Sequence, residues 1–388
     1  MVCREYPPFV VGGVAIHTWH LVNNLRKISV DVHVVSFGNP KLSSDNVEFI
    51  EPRSSVLARD RTSIVHDVKL PIDIKRMTEY VRKISRDYNV VHVQEPYIGG
   101  LVRHPHLVTT IHDTSFGEIK GYMKYSDPSV IKRIAFYIGI GYWMEFSAIA
   151  GSRVIIVPAY DVAWELLKVY KVPKNKLRII SNGVEEPSPS EPQKDVARSL
   201  LDISGDTLVI YSTGQHIGRK RFETLVYATK ILHELGFKNF EVTIGGNGPL
   251  TPYLTKLARE LGVADIIKFP GWVSEEQKIL YYRAADIFVV TSEYEAGPLV
   301  LLEAGIRGLP LVVSNTPSGF MAMLRDGYNA LKFQVGDPRD LAMKLAMLME
   351  DEGLKNILSR RAEEFARGFT WSRIARQTLK VYEEVLVD

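Results

Sequence analysis

Two glutamates separated by seven residues, Glu295 and Glu303, lie in the segment Ser292–Pro310 (SEYEAGPLVLLEAGIRGLP). The segment follows a β-branched run at Ile287–Val290 and leads into a helical pattern, so it reads as strand, loop and helix start. A helix start offers free backbone N–H groups and a partial positive charge, which suit a diphosphate. Glu295, on the loop, can accept hydrogen bonds from sugar hydroxyls. Glu303, more than a turn inside the helix, can take ribose hydroxyls, as the acid of a dinucleotide fold does. Spacing alone equally describes one acid at a helix start and another on its surface, so the neighbouring segments matter.

Ser212–Phe222 (STGQHIGRKRF) is a basic turn between a strand and a helix. It is not a P-loop, because its glycines are too close and no Ser or Thr follows Lys220. An Arg-Lys-Arg run is usually a solvated turn, but this one sits at a strand C-terminal end, where doubly wound folds bind ligands. Pro7–His20 (PPFVVGGVAIHTWH) places Gly12 and Gly13 before a helix, and glycines let backbone approach a phosphate or sugar closely. His17 and His20, on one face of that helix, read as packing. Thr110–Asp113 (TIHD) ends a strand. A lone histidine is more often a core residue, yet a neutral imidazole at a strand end can hydrogen-bond a sugar hydroxyl or assist a developing charge. His112 is therefore a candidate, and Asp113 a lesser one.

These segments resemble the family-4 glycosyltransferases, retaining enzymes of GT-B architecture, over nearly the whole chain. Glu295 and Glu303 match the family's paired glutamates, followed by the expected Ala304, Gly308 and Pro310. Asp326-Gly327-Tyr328-Asn329 is similar to the family's DG turn, and Ser181-Asn182-Gly183-Val184-Glu185 to its NGV-acid crossing between domains. Gly245–Leu250 (GGNGPL) is similar to its GxGPL turn. As a dinucleotide fingerprint that turn fails, since Thr251 stands at the third small position. The basic turn resembles the diphosphate clamp, with Lys220 on the clamp lysine. Gln215 departs from the usual Arg, for which Arg219 or Arg221 is the candidate substitute. Pro298 stands where the family has Gly or Pro, and Gly297 replaces a usual Phe.

The resemblance implies transfer of a sugar from a nucleotide-diphosphate donor with retention at the anomeric carbon. A front-face displacement through an oxocarbenium-like state is implied, as no nucleophile is evident. It implies catalytic roles for His112, Lys220 and Glu295, with His112 over the transferred sugar. The donor would meet Gly12 and Gly13, the clamp residues Gln215, Arg219 and Lys220, and Trp272 and Val273 beside the base. It would also meet Glu295, Ala296, Gly297, Pro298, Leu299, Val300 and Glu303 along the loop and helix start. No D-x-D tripeptide occurs, so no metal and no further cofactor are expected. Lys220, a neighbouring Arg and the helix N-terminus would carry the leaving-group charge. The acceptor, whether saccharide, lipid-linked or small molecule, is left open, as are the donor base and the oligomeric state. Two alternatives stand: a catalytically silent GT-B module that binds nucleotide-sugar or scaffolds other proteins, favoured by Gln215, and a nucleotide-sugar epimerase, disfavoured by the glutamate pair.

The elements that must position these groups alternate between strand and helix. Strands are expected at Val30–Ser36, Asn89–Gln94, Leu107–Ile111, Val154–Val157, Leu208–Ser212, Glu241–Ile244, Ile266–Phe269, Ile287–Val290 and Leu311–Val313. Runs this apolar mark parallel sheets covered on both faces. Helices are expected at Ile16–Lys27, Ile74–Arg86, about Ser129–Ala148, Phe222–Leu235, Pro252–Leu261, Glu275–Ala284 and about Leu299–Arg307, with helix alone from Arg339 onward. Only Met1–Cys3 precede the first loop, so an opening strand would be short. The fold class is α/β, two doubly wound Rossmann-like domains facing across a cleft. The expected division is an N-terminal acceptor-side domain over 1–184, a proline-rich linker over 185–192 (within EEPSPSEP), a nucleotide-sugar domain over 193–369, and a final helix over 370–388 returning to the first domain.

With 388 residues, 46% hydrophobic and 24% charged, the chain has the balance of a globular protein. Cys3 is the only cysteine, which excludes intrachain disulfides and cysteine-rich metal sites. The longest apolar run, Ile134–Met144, has eleven residues, against roughly 20 for a membrane span. Arg4, Glu5, Pro7 and Pro8 stand where a signal peptide would be apolar. A cytoplasmic location is expected. Residues 1–185 hold 24 Lys/Arg against 18 Asp/Glu, a mild excess that suits a phosphate or a membrane surface as well as an ordinary solvated surface. No clustered basic stripe points to nucleic acid. Residues 120–148 combine Lys120, Lys124, Lys132 and Arg133 with seven aromatics, the composition of a helix lying on an anionic membrane face. Burial of those aromatics against the sheet is the favoured alternative.

Overall fold

The computed structural model describes residues 1–10, 12–54, 70–122, 137–295, 297–317 and 319–387. The chain divides into two units, Met1–Gly183 with Trp371–Asp388, and Val184–Thr370.

In the first unit β1 (Val34–Phe37) pairs with β2 (Val47–Ile50), while β3 (Val91–Val93), β4 (Leu107–Thr110), β5 (Val154–Val157) and β6 (Leu177–Ile179) pair in that order, all parallel. The opening residues join the two sets. Val2 bridges Val35 on one side and Val93 on the other, its N–H donating to His92 O at 2.8 Å and its carbonyl accepting from Gln94 N at 2.9 Å. The opening strand is thus reduced to a single bridge. Strands β1, β3, β4 and β5 are buried at every position, as a parallel sheet covered on both faces requires.

The second unit contains one parallel sheet of order β12-β11-β10-β7-β8-β9, from β7 (Leu208–Thr213), β8 (Phe240–Gly245), β9 (Ile267–Lys268), β10 (Ile287–Val290), β11 (Leu311–Ser314) and β12 (Leu331–Phe333). Alternation along the strands builds two cores. Ile210, Val242, Ile287, Val289 and Val312 enter one cluster. Val209, Tyr211, Phe288, Val290, Leu311 and Val313 enter the other, as a side-chain period of two dictates. The order reverses between β7 and β10, so the loops leaving their C-terminal ends flank the crevice where doubly wound sheets take ligands.

Several expected boundaries shift. The strand expected at Val30–Ser36 begins only at Val34, because Ser29 turns left-handed (φ 64°) and Val30 N bonds back to Leu25 O at 3.1 Å to close the helix Gly13–Lys27. The helix expected at Ile74–Arg86 runs Leu70–Ile84, and the strand expected at Ile266–Phe269 shortens to Ile267–Lys268. The C-terminal helical stretch is three helices, Pro338–Glu350, Glu352–Arg367 and Trp371–Val387. Asp351 separates the first two and caps the second by accepting from Leu354 N at 2.8 Å. Of the long helix expected at 129–148, residues 123–136 lie outside the described residues. The rest forms a wide turn at Tyr137–Gly141 and a helix at Tyr142–Gly151. Its aromatics are not all core: Trp143 is 59% exposed and Phe146 48%. Residues 185–192, expected as a linker, fall within the second unit, where Glu191 accepts from Arg307 at 2.7 Å and from Arg283 at 2.9 Å. The final helix lies in the first unit, with Trp371 stacked on His20 and Tyr382 bonded to His92 at 2.6 Å.

Candidate active-site residues

The basic turn leaves β7 and the glutamate loop leaves β10, its neighbour in the sheet. The chain ties them together. Glu293 N donates to Arg219 O at 2.8 Å and Thr291 Oγ1 to Lys220 O at 2.6 Å. On this frame the side chains converge. Lys220 Nζ donates to Glu295 Oε1, Arg219 Nη1 reaches Glu295 Oε2 at 3.3 Å, and Ser292 Oγ donates to Oε1 at 2.6 Å. Burial pushes the Glu295 carboxyl up, but Lys220 and Arg219 outweigh it and hold its pKa at about 2. Arg221, by contrast, turns to Glu293 and Glu223. Of the two candidates for the guanidinium missing at Gln215, Arg219 is the one set beside Lys220. Gln215 itself is half-buried, in the same turn.

The GGNGPL turn supports the basic turn from the side. Gly246 has φ +103°, and a Cβ there would run into the Gly214 carbonyl. A Cβ at Gly248 would lie 2.5 Å from His216 O. The two loops can approach this closely only with glycine at these positions. Gly246 N also donates to Gly271 O at 2.7 Å, which sets the following Trp272 and Val273 beside the turn. Trp272 is 52% exposed, and Val273 is half-buried.

The helix Leu299–Ile306 begins after Pro298 with no side-chain cap, and Leu301 N donates to Pro298 O at 3.2 Å in its first turn. Gly297, Leu299 and Val300 are partly exposed around that start and Pro298 is buried. Ala296 lies outside the described residues. Glu303, a turn further in, receives Lys278 Nζ at 3.0 Å and Tyr282 OH at 2.7 Å. Burial raises its carboxyl pKa, and Lys278 more than offsets this, leaving it below the ordinary range. Lys278 and Tyr282 escaped the sequence reading. Their signal was available: four residues apart in Glu275–Ala284, they share a helix face.

In the first unit His112 follows β4, and its Nε2–H donates to Gln94 Oε1 at 3.3 Å. Gln94 ends the stretch read only as a strand. His17 packs edge-on against His112, ring centroids 4.7 Å apart, and its Nδ1–H donates to Asn182 Oδ1 at 2.9 Å. His17 is buried, as packing requires, but what it packs on is the candidate imidazole. Burial, then the neighbouring His17 and His92, hold the His112 pKa well below 6.5, so the ring is neutral. Gly12 opens the helix Gly13–Lys27 and donates its N–H to the buried Glu5 Oε2 at 2.7 Å. Asp113 is half-buried. Among the described residues no group of three or more His, Cys, Asp or Glu is placed to hold a metal ion.

Two family profiles match the chain in tandem: "Glycosyltransferase Family 4" over residues 11–186 and "Glycosyl transferases group 1" over 193–365. The chain belongs to the family-4 glycosyltransferases. It is a glycosyltransferase that moves a sugar from a nucleotide-diphosphate donor. An uncharacterized glycosyltransferase of Methanocaldococcus jannaschii is 27% identical over 400 residues, covering 99% of this chain and 97% of that one. Among solved structures, sucrose-phosphate synthase of Thermosynechococcus elongatus aligns over 100% of this chain and 98% of its own, with TM-score 0.79 and 19% identity. HepE of Anabaena, solved with UDP, aligns over 99% of both with TM-score 0.71 and 15% identity. These likenesses show the GT-B fold. Among the described residues no helix is long and apolar enough to cross a membrane.

Proposed function

We propose that this glycosyltransferase retains the anomeric configuration of its donor sugar. Lys220 and Arg219 hold the diphosphate, Glu303 the ribose, and Glu295 and His112 the transferred sugar. The observation that carries this reading is the convergence of Lys220 and Arg219 on Glu295 at the β7/β10 crevice. Two cations fixed there stabilise the charge that gathers on the diphosphate as its bond to the anomeric carbon breaks. The acceptor oxygen forms the new bond on the same face, and its proton passes to the departing phosphate oxygen. The neutral His112 ring commits its Nε2–H to Gln94, which leaves Nδ1 as an acceptor suited to a sugar hydroxyl. A silent sugar-binding module is disfavoured because Arg219 stands in for the guanidinium absent at Gln215.

A thermal-shift screen of UDP-, GDP- and ADP-sugars tests the donor site, with Glu303→Ala as control. The donor that stabilises the chain should lose its effect in that variant. Proton NMR of the product then reads the anomeric configuration, and an inverted product sinks the mechanism. Turnover should persist in EDTA, since no D-x-D is available to carry a metal.

A second reading concerns the acceptor. Trp143, Phe146 and Ile138 are exposed in a segment whose neighbouring residues include Lys132 and Arg133, which supports a lipid-linked acceptor met at an anionic membrane surface. Salt-sensitive co-sedimentation with anionic liposomes, lost in Trp143→Ser/Phe146→Ser, is the expected result. No sedimentation at low salt leaves a water-borne acceptor.

A further inference from the structure

The segment Lys168–Arg178 (KVYKVPKNKLR) carries five cations and no acid, and the donor chemistry uses none of them. It leads into β6 along a concavity of about 460 Å³. The walls come from the approaches to β4 at Pro105, to β5 at Gly151–Val154 and to β6 at Asn175–Arg178, closed by Glu384 and Val385 of the final helix. All these approaches lie at strand N-terminal ends, whereas His112 follows the C-terminal end of β4. A four-residue strand separates the two ends by about 13 Å, so this concavity is not part of the candidate catalytic site.

Its charge is lopsided: Arg153, Lys176 and Arg178 face one carboxylate, Glu384. Arg178 is held in place before any ligand arrives. Its Nη1 donates to the carbonyls of Asn175 at 2.7 Å and Leu177 at 2.9 Å. Its Nε and Nη2 form a two-pronged contact with Glu384, the Nε bond at 3.0 Å. Both side chains of this pair are about a third exposed, so solvent screens it and it adds little stability. A planar guanidinium fork fits a phosphoryl group as well as a carboxylate. A phosphoryl group carries nearly twice the charge, and Arg153 and Lys176 line the same concavity. The volume falls within the range of small-molecule pockets.

We propose that this concavity binds a phosphate-bearing small molecule, whose phosphoryl oxygens take the Arg178 fork from Glu384 while Lys176 and Arg153 supply the remaining charge. Binding therefore competes with the tie between β6 and the final helix.

Calorimetric titration of the full chain with inorganic pyrophosphate and with glucose 6-phosphate tests this, in a Lys220→Ala background that weakens the donor site. One saturable site is expected. Arg153→Gln/Lys176→Gln, at exposed or half-buried positions that should not disturb folding, weakens binding at least tenfold. Glu384→Gln removes the competing carboxylate and tightens it several-fold, an outcome that mere surface charge does not produce. Absence of saturable binding, or equal affinity with and without Arg153 and Lys176, overturns the proposal. Binding confined to vesicles containing phosphatidic acid, with neither soluble phosphate bound, also overturns it and assigns the surface to lipid headgroups.

Discussion

Lys220, at the end of the turn that leaves β7, rests its ammonium on the Glu295 carboxylate, which leaves β10. The contact places a positive charge at the crevice, balanced by a carboxylate. On the proposed reading a donor draws Lys220 toward its diphosphate. Lys220→Ala should weaken nucleotide-diphosphate binding roughly tenfold to a hundredfold, the worth of one charge-assisted hydrogen bond. Unchanged affinity by calorimetry removes Lys220 from the clamp.

The same substitution should alter acid stability. Glu295 is depressed to about 2, so its contribution is complete above the unfolded pKa near 4.5 and is lost as pH falls from 4.5 toward 2. Without Lys220 the folded pKa moves back toward 4.5, so the acid-dependent loss should shrink. Denaturation followed by circular dichroism between pH 5 and 2 would reveal it, and superimposable curves would contradict the pairing.

Arg219 and Arg221 flank Lys220, and Arg219 reaches Glu295. Arg219→Ala should cost donor affinity about tenfold, the lower end of a charged hydrogen bond. Arg221→Ala should cost much less, because Arg221 faces Glu293 and Glu223. Gln215→Arg should tighten binding only slightly, the position being served already. A large gain from Gln215→Arg would mean that Arg219 does not fill the gap.

Glu303 is held by Lys278 and Tyr282. Lys278→Met strands a largely buried carboxylate and should destabilise the chain by about 3 kcal/mol. Lys278→Met/Glu303→Leu should recover much of that stability without recovering donor affinity. Chemical denaturation and donor titration on the same three variants separate the two roles. Donor affinity that follows stability through the double variant would make Glu303 purely structural.

His17, His92 and His112 are kept neutral by burial, His17 with a pKa of about 4. Unfolding lets each take a proton below about pH 6.5, so the first unit loses stability as pH falls through that value. Glu145, raised by burial to about 7, acts in the opposite sense because it is already protonated in the fold. The net loss should be on the order of 2–3 kcal/mol per pH unit between pH 6 and 5. Equal urea midpoints at pH 7 and 5.5 would show that the histidines are charged in the fold.

The interior elements were legible in the sequence, and the edges were not. The strand Ile287–Val290 and the helix Glu275–Ala284 have their expected bounds. The strand is four apolar residues all buried, and the helix opens with Ser274 and Gln277 in a reciprocal cap. Strands β2, β6 and β12 (VEFI, LRI, LKF) were missed. Each has three or four residues around one charge, too short for alternation to register. At the candidate site, residues within one continuous motif could be read: Lys220, Glu295 and Glu303. Their partners could not. Lys278 comes from a separate helix, and Gln94 meets His112 across neighbouring strands. Such pairings arise only when the sheet order brings distant segments together.

Val184, where the chain enters the second unit, pairs with Thr370, where it leaves, and Val184 N donates to Phe369 O at 2.8 Å. Entry and exit are therefore the same doorway. The whole second unit, Lys220 and Glu303 included, is threaded between those two neighbouring residues. In the terms of protein engineering the second unit is a cassette, exchangeable for that of a relative through two adjacent splice points, while the final helix stays with the first unit.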